Sequence, residues 1–291
     1  MYQWYLAVLV AGIGHAFWDS SFRWLVNNDP ETSLFHMHWL RMCFITLVLV
    51  VVGYRSSPVE PKQSAGWWAM FSLTGFVIPP LFYTLCSALT GYRIIISVQT
   101  FVPIVIFAVE RRLPSIAHCR SLIIAMIGTA SLWWDAPWLD ESSTELWMVW
   151  FSCIAAFGHV WSLAIWFSML GRLQSGQLKA ISMAAAAGLV AVFFMFVAWT
   201  PQHLAAASLG QFNMWLIVLV GCAISAACKY WVIAVASKNF QVDAVAILEC
   251  IHPISTLLVD LIHQRDHMET EDILAIACIA TGWILYPTKR I

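Results

Sequence analysis

Ten apolar segments of about twenty residues each follow one another along this chain of 291 residues. A helix of about twenty residues is long enough to cross the hydrocarbon core of a bilayer. The breaks between the segments are short and polar, and none resembles a soluble domain. We therefore predict an all-α polytopic membrane protein with ten transmembrane helices, at residues 3–25, 32–53, 66–87, 91–109, 115–134, 145–169, 179–199, 212–236, 241–262 and 271–287.

The composition favours a membrane protein and argues against several other classes. Hydrophobic residues make up 61% of the chain and charged residues 11%, with a mean hydropathy of +0.77, which is not the balance of a soluble domain. Without a basic tract or a phosphate-binding loop, no nucleic-acid partner is expected. The eight cysteines are scattered, with no CxxC or Cys/His ligand spacing, so we expect no disulfide, no metal and no cofactor.

Lysine and arginine are distributed unevenly between the two sets of loops. If the N-terminus lies inside, Arg265 is the only lysine or arginine in the outer loops. Because cytoplasmic loops carry the excess of basic residues, we predict that both termini lie in the cytoplasm. We expect a multi-pass protein of the plasma or inner membrane. The N-terminus has no basic region or small-residue cleavage site before its first apolar segment, so no cleaved signal peptide is expected. The basic residues of the inner loops and ends are Arg55, Lys62, Arg111, Arg112, Arg172, Lys179, Lys238, Lys289 and Arg290.

Short patterns recur in the same order in the two halves of the chain. Each half contains five helices, and an odd number means that the second half enters the membrane from the opposite side. We predict two inverted repeats, residues 1–137 and 145–291, with the substrate site at their interface near the middle of the membrane. The matching patterns are Gly14-His15 with Gly158-His159, Gly75 and Tyr83 with Gly221 and Lys229, and Gln99-x-x-x-Pro103 with Glu249-x-x-x-Pro253.

The ninth segment carries Glu249, His252 and Pro253 near its middle. An ionisable side chain at that depth is costly unless it faces protein or water, and proline leaves the carbonyl of Glu249 without its helical partner. We predict that this helix face lines a cavity, that Glu249 takes part in proton coupling, and that His252 relays or shares the proton. For both residues the alternative is a structural hydrogen bond to a neighbouring helix.

The first segment places His15, Asp19 and Arg23 four residues apart on one helix face. We interpret His15 and Asp19 as a proton or cation site, with Asp19 as a second proton-coupling residue. The alternative is an Asp19–Arg23 pair that holds the outer end of the helix while the Arg23 side chain extends to the membrane interface.

Two basic and two aromatic residues complete the candidate site. Lys229 either binds a carboxylate or phosphate of the substrate or neutralises Glu249, and Arg93 either contacts the substrate or extends to the interface. Trp18 and Trp161, each within one turn of a glycine–histidine pair, either stack on a planar or cationic substrate or pack against lipid or another helix.

The predicted substrate-binding set therefore draws on both halves. Polar residues on the second segment, His36, His38 and Arg41, are assigned to interhelix hydrogen bonds, and Asp243 and Asp260 are expected to be solvated. The predicted substrate-binding residues are His15, Trp18, Asp19, Tyr83, Arg93, Gln99, His159, Trp161, Lys229, Glu249 and His252, with helix breaks at Pro103 and Pro253.

One stretch in each half carries a further recurring pattern. The first contains Ala88-Leu89, Tyr92, Pro103, Glu110-Arg111 and Gly128, and the second runs from Ala236 through Pro253 and Arg265-Asp266 to Gly282. Together they resemble the EamA-type repeat of the drug/metabolite transporter superfamily. This chain differs from that pattern in a shorter proline-to-glutamate interval in the first half and in Asp266, which replaces the usual glutamate.

The resemblance implies ten helices, a central cavity and alternating access. Relatives export amino acids or other metabolites, take up small cations, or exchange nucleotide sugars and sugar phosphates. We expect a secondary transporter for a small organic metabolite such as an amino acid or amine, driven by a proton or a counter-substrate, acting as a monomer or homodimer. The alternatives are a nucleotide-sugar or sugar-phosphate antiporter and a receptor or scaffold without transport. An enzyme is not expected, since no HExxH, GxSxG or catalytic aspartate pair occurs.

Overall fold

The computed structural model describes residues 2–28, 34–56, 63–90, 93–134, 146–199, 212–264 and 270–287, and these form ten helices. The ten predicted segments are confirmed as helices, with bounds that differ by no more than three residues. The helices are α1 (Tyr2–Asn28), α2 (Leu34–Tyr54), α3 (Ala65–Ser72, Leu73–Val77 and Ile78–Thr90), α4 (Arg93–Val98, Gln99–Phe101 and Val102–Val109), α5 (Ile116–Trp134), α6 (Leu146–Gly171), α7 (Gln177–Trp199), α8 (Phe212–Ala236), α9 (Val242–Gln264) and α10 (Thr270–Ile284).

Two of these helices change their hydrogen-bond pattern part-way along. In α3 the stretch Leu73–Val77 is a π-helical turn, directly before Pro79 and Pro80. In α4 the stretch Gln99–Phe101 is a 3₁₀ turn, and the N–H of Val102 donates to the Gln99 carbonyl just before Pro103. Because proline lacks an N–H, the carbonyl four residues earlier needs another partner.

Three helical stretches among the described residues are long and apolar enough to cross a membrane. They are Ala65–Cys86, Leu146–Gly171 and Trp215–Ala236, with mean hydropathies of 1.5, 1.6 and 2.0. Large apolar side chains also cover the outside of the bundle: Val51 is 64% exposed, Trp150 64% and Ile154 68%. Since soluble proteins avoid extended apolar patches on their surfaces, the fold is consistent with a membrane protein.

The helices pack mainly against helices of the other half of the chain. Helix α1 contacts α8 and α9, and α6 contacts α3 and α4. Helix α2 lies against α7 and α8, α7 also lies against α3, and α5 pairs with α10. The centre of the bundle is therefore enclosed by helices from both ends of the chain.

The α5–α10 pair is held close by one glycine on each helix. A Cβ atom at Gly128 would lie 2.8 Å from the carbonyl oxygen of Ala275, and one at Gly282 would lie 2.6 Å from that of Ser121. Real Cβ atoms do not approach backbone atoms so closely, so only glycine allows the two helices to lie at this separation.

Candidate functional site

A cavity of about 120 Å³ lies among seven helices, α1, α2, α3, α4, α6, α8 and α9. It is large enough for several water molecules or a small organic ligand. The structure brings together eight of the predicted substrate-binding residues there: His15, Asp19, Tyr83, Gln99, His159, Lys229, Glu249 and His252. The other lining residues are Arg41, Met42, Ile45, Gly75, Pro79, Pro80, Leu163, Ala226 and Tyr230.

Lys229 and Glu249 form a buried ion pair on one side of the cavity. The Lys229 Nζ atom lies 2.9 Å from Oε1 and 3.0 Å from Oε2 of Glu249, so it contacts both carboxylate oxygens. Lys229 is 8% exposed and Glu249 is 5% exposed. This contact matches the prediction that Lys229 neutralises Glu249. Both residues also line the cavity.

Asp19 is the centre of a second buried polar cluster. Its Oδ1 atom is ion-paired with Arg41 Nη1, and its Oδ2 atom accepts a hydrogen bond of 2.7 Å from the hydroxyl of Tyr83. The Nε2 atom of His252 lies 3.5 Å from the same Oδ2 atom. Asp19 thereby connects α1 to α2, α3 and α9.

A chain of hydrogen bonds crosses the cavity from α3 to α9. His159 Nδ1 lies 3.1 Å from the carbonyl oxygen of Pro79, and His159 Nε2 lies 3.2 Å from Gln99 Nε2. Gln99 Oε1 lies 3.0 Å from His252 Nδ1. His159 on α6 and His252 on α9, both in the second half of the chain, are therefore joined through the side chain of Gln99 on α4 in the first half. Gln99 is the first residue of the 3₁₀ turn and is buried.

His15 lies at the edge of this cluster. Its ring centroid is 5.4 Å from that of His252, and its buried Nδ1 atom has no hydrogen-bond partner among the described residues. Of the three residues predicted to share one face of α1, His15 and Asp19 both line the cavity. The side chain of Arg23 lies outside the described residues.

The two predicted tryptophans do not line the cavity. Trp18 packs against α8 at Gly221, and Trp161 is 47% exposed on the outer surface of α6. The packing counterpart of Trp18 is Trp166, which lies against Gly75 on α3 and is 2% exposed. Since both indole rings fill space beside a glycine, the structure gives Trp18 and Trp166 a packing role.

Arg41 and Tyr230 are lining residues that the sequence reasoning missed. Arg41 was predicted to make interhelix hydrogen bonds, and it does pair with Asp19 on α1; its place in the lining of the cavity was not predicted. A buried arginine in an otherwise apolar helix was the available signal. Tyr230 follows Lys229 directly and packs against Phe76, with ring centroids 5.4 Å apart; neutral residues of this kind give no sequence signal.

The remaining predicted residues are not among the described residues that line the cavity. Pro103 lies in the first turn after the 3₁₀ segment of α4, and Pro253 lies inside α9. Loop residues Arg265 and Asp266 lie outside the described residues, as do the side chains of His36, His38, Arg93 and Asp260.

Asp243 was predicted to be solvated, and this prediction was wrong. It is 0% exposed, and its carboxylate accepts hydrogen bonds of 2.9 Å from Arg112 Nη2 and from the Tyr286 hydroxyl. His118 Nε2 lies 3.7 Å from it. The sequence places these residues on separate segments, so only the packing of α9 against the ends of α5 and α10 brings them together.

Arg112, which contacts Asp243 in this cluster, is partly exposed and lies just after the end of α4. Burial would lower the pKa of Arg112, but the hydrogen bond to Asp243 and the nearby charges of Glu110 and Asp243 outweigh that effect, so the pKa is raised. Arg112 is therefore a permanent positive partner for the two carboxylates.

Neither cluster has the donor set of a metal site. Among the described residues, no group of three or more His, Cys, Asp and Glu side chains is arranged to hold a metal ion.

Comparison with known proteins identifies the fold only. No protein-family model and no curated protein matches this sequence. A solved crystal structure of a protein matches with a TM-score of 0.69 over 96% of this chain and 95% of that chain, at 15% sequence identity. At that identity the likeness shows a shared helical architecture, and the function has to be argued from the site.

Proposed function

We propose that this protein is a secondary active transporter that moves a small organic metabolite across a membrane by alternating access. The observation that carries the proposal is the cavity itself, which holds four buried charged residues, Asp19, Arg41, Lys229 and Glu249, between helices of both halves. Buried charges in an apolar helical bundle are costly, and they mark substrate or ion pathways.

The packing supports ten membrane-crossing helices arranged as two inverted repeats. The contacts of α1 with α8 and α9 correspond to those of α6 with α3 and α4, five helices further on. Gly128 on α5 and Gly282 on α10 each pack against the other helix, and Trp18 on Gly221 corresponds to Trp166 on Gly75. Such reciprocal contacts are expected of a twofold relation between repeats. From the sequence resemblance we propose an EamA-type drug/metabolite transporter, and from the distribution of lysine and arginine we propose that both termini lie in the cytoplasm of a plasma or inner membrane.

The charges of the cavity favour a small zwitterionic or neutral substrate. The two acidic and two basic lining residues balance one another. In the Lys229–Glu249 pair, an ammonium and a carboxylate lie side by side and can exchange partners with the carboxylate and ammonium of an amino acid. Of the predicted amino acids and amines, amino acids are therefore the preferred substrates.

The alternative, a nucleotide-sugar or sugar-phosphate antiporter, fits the same cavity less well. Sites for drug-sized ligands measure roughly 300–1,000 Å³, whereas this one measures about 120 Å³. Both basic lining residues among the described residues, Arg41 and Lys229, are also already paired with carboxylates, so neither offers an unbalanced positive charge to a phosphate. A scaffold without transport would gain nothing from a cavity that is lined with charges and that its own side chains leave open.

Counterflow into liposomes tests the proposal. Purified protein is reconstituted, loaded with one unlabelled compound from each class (amino acids, amines, sugar phosphates), and exposed to the labelled compound with and without a pH gradient. We expect saturable uptake of an amino acid or amine. Uptake of sugar phosphates alone would favour the antiporter, and ligand-induced thermal stabilisation without any uptake would favour a receptor.

Matched variants connect the transport to the cavity. Glu249→Gln and Lys229→Met are expected to reduce uptake at least tenfold, because each removes one charge that a zwitterion would contact. Glu271→Gln makes the same chemical change at the start of α10, outside the cavity, and is expected to transport normally. Equal uptake by all three variants would overturn the assignment of the site.

A further inference from the structure

We propose that His252 Nε2 is a proton-binding atom, which a hydrogen-bond chain of fixed direction holds towards the carboxylate of Asp19. The location of the proton follows from the geometry alone, and only its coupling to transport rests on the proposed function. His252 is 5% exposed, and its Nε2 atom makes no hydrogen bond with the described residues.

The direction of the chain is set at its α3 end. A backbone carbonyl can only accept, so His159 Nδ1 must donate to Pro79 across the 3.1 Å contact. The other nitrogen of a neutral His159 then carries a lone pair, so it accepts from the amide group of Gln99. Gln99 consequently presents its carbonyl oxygen to His252.

This orientation fixes the tautomer of His252. Its Nδ1 atom, 3.0 Å from Gln99 Oε1, must carry a hydrogen. In the neutral imidazole the lone pair is therefore on Nε2, the atom that faces Asp19 Oδ2 at 3.5 Å. Two acceptors face each other, and a single added proton converts this contact into a hydrogen bond.

The surroundings of Asp19 decide which partner receives that proton. Arg41 and the Tyr83 hydroxyl both donate to the Asp19 carboxylate, and such donors favour its charged form. The proton, delivered by water, therefore forms an N–H bond at His252 Nε2 and makes an imidazolium. Charge-assisted N–H···O contacts measure about 2.7–2.9 Å, so protonation is expected to shorten the present 3.5 Å separation.

The other groups around His252 carry no net charge. Asp19 and Arg41 balance one another, as do Lys229 and Glu249. A bound proton thus changes the charge of the cavity from zero to plus one, which favours an anionic group and opposes a cation. The titratable and charged groups that face this site are His15 and Asp19 on α1, Arg41 on α2, Tyr83 on α3, His159 on α6, Cys222, Lys229 and Tyr230 on α8, and Glu249 on α9.

Protonation also has a mechanical consequence. Asp19 belongs to α1 in the first half of the chain and His252 to α9 in the second half. The imidazolium donates across this interface and draws the two helices together, whereas the neutral ring opposes its lone pair to the carboxylate. A proton that holds α1 and α9 together stabilises one state of the transport cycle over the other. Proton binding is thereby coupled to the conformational change that moves the substrate.

Nitrogen NMR of the purified protein, labelled with ¹⁵N-histidine and kept in detergent, tests the proposal without any transport measurement. The His252 signals are assigned by their loss in His252→Gln. We expect Nδ1 protonated and Nε2 unprotonated at alkaline pH, and both protonated after acidification. A neutral form with the hydrogen on Nε2, or no titration while the protein stays folded, would overturn the proposal.

The variant Gln99→Leu tests the chain that sets the tautomer. It removes the acceptor for Nδ1, so neutral His252 is free to move its hydrogen to Nε2 and donate to Asp19. We expect the alkaline spectrum to change to the Nε2–H form. An unchanged tautomer in a monodisperse Gln99→Leu sample would show that Gln99 does not control it. If the wild type titrates as expected but transports nothing, the proton site stands and the proposed function fails.

Discussion

Lys229 Nζ contacts both carboxylate oxygens of Glu249, at 2.9 and 3.0 Å, across the interface between α8 and α9. The two residues are 20 positions apart in the chain and both are buried. The pair also lines the cavity, which supports the proposed role of both residues in substrate binding.

The Lys229–Glu249 pair is expected to behave as one unit in unfolding experiments. Lys229→Met or Glu249→Gln alone leaves a buried polar partner unmatched and is expected to lower the free energy of unfolding by about 3–5 kcal/mol. The double variant removes both charges and is expected to lose much less than the sum. Denaturant unfolding in detergent micelles measures the cycle, and additive losses would show that the two residues are not coupled.

Tyr83→Phe removes one hydrogen bond from the Asp19 carboxylate and leaves the ring in place. A hydrogen bond to a charged group contributes about 1.5–3 kcal/mol, so a stability loss of that size is expected. Transport at neutral pH should fall as well, since Asp19 then loses one of the contacts that hold it beside His252. Tyr54→Phe, at an exposed position near the end of α2, is the matched control; equal effects of the two variants would contradict the prediction.

Replacing either glycine of the α5–α10 contact by alanine is expected to destabilise the protein. Gly128→Ala and Gly282→Ala place a methyl group against backbone oxygens of the neighbouring helix, and each is expected to cost about 1–3 kcal/mol. Gly14→Ala is the control, because a Cβ atom there meets nothing within 4 Å, and alanine favours a helix by about 1 kcal/mol. Apparent melting temperatures should therefore fall for the first two variants and stay level or rise for the third.

The contacts of Asp243 with Arg112 and Tyr286 predict a structural role for its carboxylate. Asp243→Asn removes the charge that Arg112 and Tyr286 contact and is expected to lower the free energy of unfolding by about 1.5–3 kcal/mol, because hydrogen bonds to a charged group are weakened. Glu110→Gln, on the more exposed side of Arg112, is expected to cost under about 1 kcal/mol. A comparison of the two variants by thermal unfolding checks whether burial of the carboxylate decides the effect.

The helices themselves were predictable from the sequence. Runs of about twenty apolar residues form helices because the backbone must satisfy its own hydrogen bonds in an apolar setting, and so all ten segments were located within three residues. Glu249, His252, Asp19 and Lys229 could also be singled out, because charge inside an apolar segment is rare enough to be informative.

The partners of those residues were decided only by the tertiary structure. Nothing in the spacing of Asp19 and Arg41 distinguishes an ion pair between two helices from two separate surface contacts, and Asp243 looked solvated because it begins a helix. Periodicity fixes which residues share a face of one helix, but which faces meet depends on how all ten helices pack. That packing brought Arg41 to Asp19, buried Asp243 beside Arg112 and placed Trp166, rather than Trp161, opposite Gly75.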